Sequence, residues 1–583
     1  MTVREAGRWF AFGSGGVLVG DDGAVVEVRP PEGDHSMLLG EDSGAPEAVM
    51  HEPSYRWGKG FVITDQGSYR FDRPSGLSWA VDGVQVEYVL GALRLRVQRQ
   101  IGDSWTESFA LSNQGPEPVN VGSLAVSTPW RDVYFSAVDS LRRAVHVHVW
   151  TGGSDSWVWV VPMDGTGPGL GLVVTEGGLE AYSVESRDPV TSSNVRGHLY
   201  LHVTDHARAP HAMGGQRPID LEPGEVYRWA WRLDWFADLA ALHRTRRGWR
   251  VPLVEADDLA VEIGGTLSLQ TAPTSVLSEP TPLAATAAGL RNVWAVDGDR
   301  RSRVAVLVHP PLRDVVERRV RFVLSHQRAV ERADGRAAAF VPYDTEWGLT
   351  MLPGSWGDWS DTRERVGTAL MLQEVRNRGW GDATELDDAL AAYERFVCEF
   401  VVANDGTVAD DSRRPRRVRL YNFPWYARFL LDRGHLDRAV GILDAYYSGG
   451  GAHFLAFDLG PILQDLADQL RASGRAADAQ RMLDHLTGHA RTFLGYGQDL
   501  PAHEVNYEQS MVAPLIELLL AARQVDSSLV PDAELLRRLA WLRAFAADQP
   551  DIRLRHSPFG TGTATGSAGC GCGATCSRTI GRR

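Results

Sequence analysis

The chain has 583 residues, 44% hydrophobic and 23% charged, an ordinary globular composition with room for more than one core. Its formal net charge of −14 argues against nucleic acid as the main partner, because phosphate neutralisation needs a basic face. No apolar run is long enough for a secretion signal or a membrane span. The expectation is therefore a cytoplasmic protein without a membrane partner.

Residues 1–310 read as β structure, with short segments alternating apolar and polar between Gly, Pro, Asp and Asn turns. In VQVEYVLGALRLRVQRQIG, Leu93, Leu95 and Val97 alternate with Arg94, Arg96 and Gln98, as in a half-buried antiparallel strand. Phe109 and Leu111 end the next strand, Asn113 to Pro118 turn, and Val119, Val121 and Leu124 resume. Many strands at this spacing predict an antiparallel β-sandwich, interrupted by one helix near Trp235 to Arg247.

From about Pro311 the period becomes helical. Helices are predicted over Arg313–Val330, Arg363–Arg378 (capped by Asp361 or Thr362), Glu385–Val402, Tyr421–Asp432, Leu436–Tyr447, Pro461–Arg471, Ala476–Ala490, Glu504–Arg523 and Ala533–Asp548. Short turns at Arg433-Gly434-His435 and Ser473-Gly474-Arg475 make hairpins of them. Hairpin lengths vary and no repeat recurs, which favours a closed α/α toroid over a tetratricopeptide superhelix. Residues 311–550 form this second domain, and its loops, rich in Trp, Tyr, Asp and Gly, are the place for a site.

Residues 551–583 are a low-complexity tail, GTGTATGSAGCGCGATCSRTIGRR at its end. Cys570, Cys572 and Cys576 lack the paired spacing of zinc modules. The segment also reads as out of frame, since GC-rich codons shifted in frame give an aromatic stretch rich in His and Asp. One lysine, Lys59, among 60 basic residues points to such GC-rich coding. Cys398 is the only cysteine before the tail, which fits a reducing compartment.

Three elements carry candidate chemistry. VPYDTEWGLTMLPGSWGDWSDTRERVG brings Tyr343, Asp344, Glu346, Trp347, Trp356, Asp358, Trp359 and Asp361 onto a loop before a helix. Carboxylates beside Trp suit glycosidic chemistry, one acid protonating the leaving oxygen while rings hold the sugar. The bland reading is a polar loop that caps a helix. LPAHEVNYEQSMVAPLIELLL sets His503, Glu504, Asn506, Tyr507 and Glu508 at the mouth of an apolar helix. First-turn acids favoured by the helix dipole explain Glu504, but not His503, Asn506 and Tyr507 together. RLYNFPWYARFLLDRG places Tyr421, Asn422, Trp425 and Arg428 at a helix start, where Arg419 or Arg428 could hold a carboxylate-bearing sugar; an aromatic core face is the alternative. His453 and Asp458 give a weaker signal, and His485 and His489 read as surface or core. No Walker loop, dinucleotide fingerprint, GxSxG element or metal site is evident, so no cofactor is expected.

Carried by YDTEWGL, GSWGDWSDTRERVG, YNFPWYARFLL and HEVNYEQS, the chain resembles the six-hairpin glycosidase superfamily and the related α/α-toroid polysaccharide lyases. The resemblance covers the β-sandwich and the hairpins and implies a carbohydrate-active enzyme acting on an oligo- or polysaccharide. Two chemistries suit the fold. A hydrolase, the favoured reading, would use paired carboxylates, with Glu508 or Glu346 as acid and Asp358 or Asp344 as partner. A lyase acting on a uronate would use Asn506 or Arg428 to neutralise the carboxylate, His503 as base and Tyr507 as acid. A non-catalytic helical scaffold is the third reading.

Overall fold

The computed structural model describes residues 7–33, 35–39, 53–132, 136–184, 198–212, 215–249, 251–256, 258–329, 338–350, 360–501, 503–504 and 509–545. They divide into two units: 7–309 with 509 and 540–545, and 310–504 with 510–539.

In the first unit, strand Leu93–Ile101 buries every second side chain from Leu93 and exposes Arg94, Arg96, Gln98 and Gln100. It belongs to an eight-stranded sheet in the order Val145–Trp150, Trp157–Pro162, Gly169–Glu176, Val226–Phe236, Trp105–Asn113, Leu93–Ile101, Gly83–Leu90, Gly76–Trp79. Every neighbouring pair in it is antiparallel. A second antiparallel sheet runs Ala181–Val184, Leu199–Asp205, Val119–Ser127, Gly60–Thr64, Gly67–Phe71, with Ile219–Leu221 beside Val119–Ser127. One core joins them: Val62, Phe71, Val121 and Leu124 of the second sheet pack with Leu95, Val97 and Leu111 of the first. These are the inner faces of a sandwich.

The alternation turns a charged pair inward. Arg99 falls on the buried phase of its strand and is fully buried, as is Glu107 on the next strand. Glu107 accepts from Arg99 Nε at 2.5 Å, from Trp231 Nε1 at 2.8 Å and from Trp57 Nε1 at 3.1 Å. Arg99 Nη1 donates to the Gly23 carbonyl at 2.8 Å. A buried charge persists only when paired and hydrogen-bonded in this way.

The sheets are not wholly antiparallel. In a separate four-stranded sheet, Ala260–Glu262 runs parallel to Arg300–His309. Helix α1 spans Ala137–Arg143 and α2 spans Leu239–Gly248. The latter starts four residues later than expected, because Trp235 and Phe236 complete strand Val226–Phe236 and Asp238 caps the Ala241 N–H at 2.7 Å.

The second unit is helical: α3 (Leu312–Phe322), α4 (Val366–Asn377), α5 (Ala383–Phe396), α6 (Asn422–Asp432), α7 (Leu436–Ser448), α8 (Leu459–Ala472), α9 (Ala476–Tyr496) and α10 (Gln509–Val525). Helix α11 (Asp532–Ala544) begins in it, and its residues from Ala540 count with the first unit. Helices α3 and α5 end in π turns, Val323–Gln327 and Val397–Val401, which account for the longer spans expected there. Gly434 and Gly474, at φ 84° and 79°, make the left-handed turns between α6 and α7 and between α8 and α9.

The helices alternate between two layers. Helix α4 packs on α6, and α6 on α8. Helix α8 meets α10 where Gly460 lies against Ala521 and Gln464 Nε2 donates to the Ala521 carbonyl at 3.1 Å. The other layer is tied by polar side chains: His435 to Glu394 at 2.7 Å, Arg475 to Asp437 at 2.5 Å and Arg481 to Asp444 at 3.2 Å. No helix among the described residues is long and apolar enough to cross a membrane.

Candidate active site

The approaches to α4, α6, α8 and α10 meet at one end of the second unit. Each is fixed by local chemistry. Pro424 sits in the first turn of α6, which suits its locked φ, and Tyr421 precedes that helix. Before α8, Gly450 at φ 92° turns the chain into a 3-10 turn, Gly451–His453, and the Tyr446 hydroxyl holds the Phe454 carbonyl at 2.9 Å. Before α10, the Glu504 N–H closes a turn on the Pro501 carbonyl at 2.7 Å.

Glu504 is the centre of this group and is fully buried. Its Oε1 accepts from the Tyr421 hydroxyl and from the Leu455 N–H, both at 2.7 Å. Its Oε2 is buried with no hydrogen-bond partner among the described residues. Burial pushes the carboxyl from its usual 4.5 up to about 7, outweighing the two hydrogen bonds that favour the anion. With Oε1 saturated by donors, the acid proton belongs on Oε2. Glu504 is thus a carboxylic acid that changes charge near neutral pH.

His503 stands beside it and is exposed. Its Nε2 lies 2.8 Å from the His453 carbonyl, an acceptor only, so Nε2 carries the proton and Nδ1 keeps a lone pair. Its ring stacks on Phe454 with centroids 4.3 Å apart. His453 Nδ1 shares a 2.5 Å hydrogen bond with the Tyr496 hydroxyl. The Arg419 guanidinium lies 5.2 Å over the Tyr421 ring, with Nη1 bonded to Asn422 Oδ1 at 2.9 Å and to Glu364 at 3.2 Å. A phenol, an imidazole, a buried acid and a guanidinium are therefore held together.

Of the residues singled out from sequence, Tyr421 and His503 fall in this group. Glu504, for which a first-turn helix acid is the bland alternative to a functional role, is not within α10 as described and is buried. Arg428 and Trp425 sit further along α6: Arg428 is paired with Asp465 at 2.8 Å and with Asp432 at 3.5 Å, and Trp425 stacks on Phe457 at 5.8 Å. Tyr343, Asp344, Glu346 and Trp347 lie on a small hairpin, where Asp344 Oδ1 accepts the Glu346 and Trp347 N–H groups at 2.9 and 3.0 Å. Trp347 is 73% exposed there, and Tyr343 packs on Phe322 and His326. Asp361 does not cap α4. It is buried and binds the Ser412 hydroxyl at 2.7 Å, while Thr362 Oγ1 donates to the Asp410 carbonyl. Trp356, Asp358, Trp359, Asn506, Tyr507, Glu508 and the tail 551–583 lie outside the described residues. Among the described residues no cluster of His, Cys, Asp and Glu is arranged to hold a metal ion.

Two residues of the group gave little sequence signal. Tyr496 ends a 21-residue helix with nothing beside it to mark it, and His453 lies in a glycine-rich turn. What joins them to Tyr421 is tertiary.

No protein-family model matches the sequence, and no curated protein is significantly similar to it. A solved polysaccharide lyase superposes with a TM-score of 0.81 at 22% identity, over 94% of this chain and 83% of that one. The galactosidase domain of an α-galactosidase–sucrose kinase aligns with a TM-score of 0.23 at 10% identity, over 39% of this chain and 40% of that one. A heparinase III gene product aligns with a TM-score of 0.18 at 9% identity, over 52% and 38%. The first likeness shows a fold shared with a carbohydrate-active enzyme. The other two are too slight to show one.

Proposed function

We propose that this chain is a polysaccharide lyase that cleaves a uronate-containing glycan by β-elimination, its hairpin layers closing into a toroid around the Tyr421 and His503 group. The observation that carries the reading is the pairing of Tyr421 and His503 around one buried acid. Elimination needs a base for the C5 proton, an acid for the leaving oxygen and a cation for the uronate carboxylate. His503 Nδ1 supplies the lone pair. Tyr421 supplies the phenolic proton, and it stands in for Tyr507 in the acid role. Arg419 supplies the cation.

The electrons balance without water. His503 takes the C5 proton, the C5–H pair becomes the C4–C5 double bond, the C4–O4 bond breaks, and O4 leaves with the proton of Tyr421. A protonated Glu504 makes Tyr421 the better acid, because a carboxylate there would hold the phenolic proton by its charge.

Hydrolysis fits less well. It needs two carboxyl groups facing across the scissile bond, whereas among the described residues the carboxyls of this group are Glu504, which is buried, and Glu364, which is engaged by Arg419 at 3.2 Å. The fold likeness to a solved polysaccharide lyase favours elimination in the same sense.

The test is to incubate the full chain with uronate-bearing glycans and follow the ultraviolet absorbance of an unsaturated uronate. Absorbance that rises with new reducing ends, and is lost in His503→Gln and Tyr421→Phe, supports elimination. New reducing ends without absorbance would show hydrolysis and overturn the assignment.

A further inference from the structure

Between Ser412 and Tyr421, five of eight residues are arginine: Arg413, Arg414, Arg416, Arg417 and Arg419. No carboxylate falls in that stretch, although the chain carries a net charge of −14. The segment folds back on itself. Ala409 bridges Val418, the Asp410 N–H meets the Arg417 carbonyl at 2.7 Å, and the Arg417 N–H meets the Arg414 carbonyl at 2.9 Å. Pro415 at the tip restricts both its own φ and the backbone of Arg414.

The acids at the base of this loop are already engaged. Asp410 binds Arg363 at 2.7 Å and Arg417 at 3.0 Å, and Asp411 binds Arg413 at 3.3 Å. At the tip, Arg414 and Arg416 are exposed, and no hydrogen bond or ion pair engages their side chains among the described residues. Four residues lie between Arg416 and Tyr421, so at most about 17 Å of chain joins them. Two exposed guanidiniums on a braced loop that leads into Tyr421 are a local positive field on an acidic protein. Such a field concentrates and orients an anion, and guanidinium forks match carboxylate and sulfate oxygens.

We propose that the Arg414–Arg416 tip is a second anion subsite, binding carboxylate or sulfate groups on sugars beyond the one cleaved, so that the substrate is an acidic polysaccharide with charges on several units. The proposal rests on the elimination reading for its catalytic arm only.

The double variant Arg414→Gln with Arg416→Gln tests it, since both side chains are exposed and make no hydrogen bond or ion pair among the described residues. On polygalacturonate, the variant should lose about tenfold in kcat/KM through KM and show a shallower dependence on salt. On the shortest uronate disaccharide cleaved, kcat should stay at the wild-type value. Retention of wild-type KM and salt dependence on polygalacturonate and on a sulfated polymer alike overturns the subsite. Retention on immobilised heparin against dextran gives a second measure that needs no catalysis. Weaker heparin retention of the variant, with no unsaturated product from either protein, keeps the subsite and sinks the elimination reading. Equal heparin retention of variant and wild type sinks the subsite whichever chemistry holds. Binding of single-stranded DNA through this tip, stronger than heparin, would make it a nucleic-acid surface instead and overturn the carbohydrate assignment.

Discussion

Glu504 holds a proton that an exposed glutamate would have lost. Its carboxyl titrates near 7 in the fold and near 4.5 when unfolded. The folded chain therefore binds more protons between those values, so the contribution is fully present below about 4.5 and is lost as pH rises through about 7. The gap corresponds to about 3 kcal/mol at most. Glu504→Gln keeps the acceptor for Tyr421 and Leu455 but cannot ionise. Denaturant titrations at mildly acidic and mildly basic pH should show the wild type losing stability relative to the variant as pH rises. Parallel curves for the two proteins would remove the buried-acid account. The same ionisation should appear in catalysis: elimination should fall above about pH 7 in the wild type and lose that limb in Glu504→Gln. For Tyr421→Phe, removing the proton donor should cost about a hundredfold or more in kcat with little change in melting temperature. A loss confined to KM would show that Tyr421 only binds.

Helix placement was largely legible from periodicity, and the misses have local causes. Helix α6 starts at Asn422 and α7 at Leu436, each within a residue of the start read from apolar spacing and the Gly434 turn. Glu504 does not lie within helix α10, described from Gln509, because its N–H closes a turn on the Pro501 carbonyl. Sequence cannot distinguish a solvated first-turn acid from a buried one, and Glu504 is buried. The site itself was half legible. Tyr421 and His503 stood out by residue type at helix mouths, but the contact of Tyr421 with Glu504 spans 83 residues, and no local pattern records it. At the same scale, Gly460 decides how closely α8 approaches α10. A Cβ there would stand 2.7 Å from Ala521 Cβ. Glycine to alanine inside a helix ordinarily gains about 1 kcal/mol, but here overpacking should reverse the sign, and Gly460→Ala should lose about 1–3 kcal/mol. A gain in melting temperature would mean that the two helices separate freely.

At the scale of the whole chain, the change of period near Pro311 was legible, and so was the sheet-rich character of what precedes it. The assignment of residues 540–545 was not. They continue a helix begun in the second unit but group with the first. Within that unit the Ala544 carbonyl lies 2.7 Å from His148 Nε2, Phe545 packs on His146 with centroids 4.1 Å apart, and Ala544 joins the core of Trp150, Trp157 and Val304. Burial holds the His148 imidazole down at about 4 despite that carbonyl, so it stays neutral across ordinary pH. Trp541 is 1% exposed, and Trp541→Ala should cost about 3–5 kcal/mol. A melt unchanged by that substitution would mean the segment is an appendage rather than part of the core.

This grouping sets an order of events on the ribosome. Nascent domains generally fold as units from the N-terminus, but the sheet-rich unit here is missing buried side chains until residue 545 has been made. That part of its packing is completed only after the helices between Leu312 and Ala544 have been synthesised. Until then, the surface around His146 and His148 remains uncovered, a waiting period in which a chaperone would find its target and a stalled ribosome would leave a product whose first-made part is unfinished.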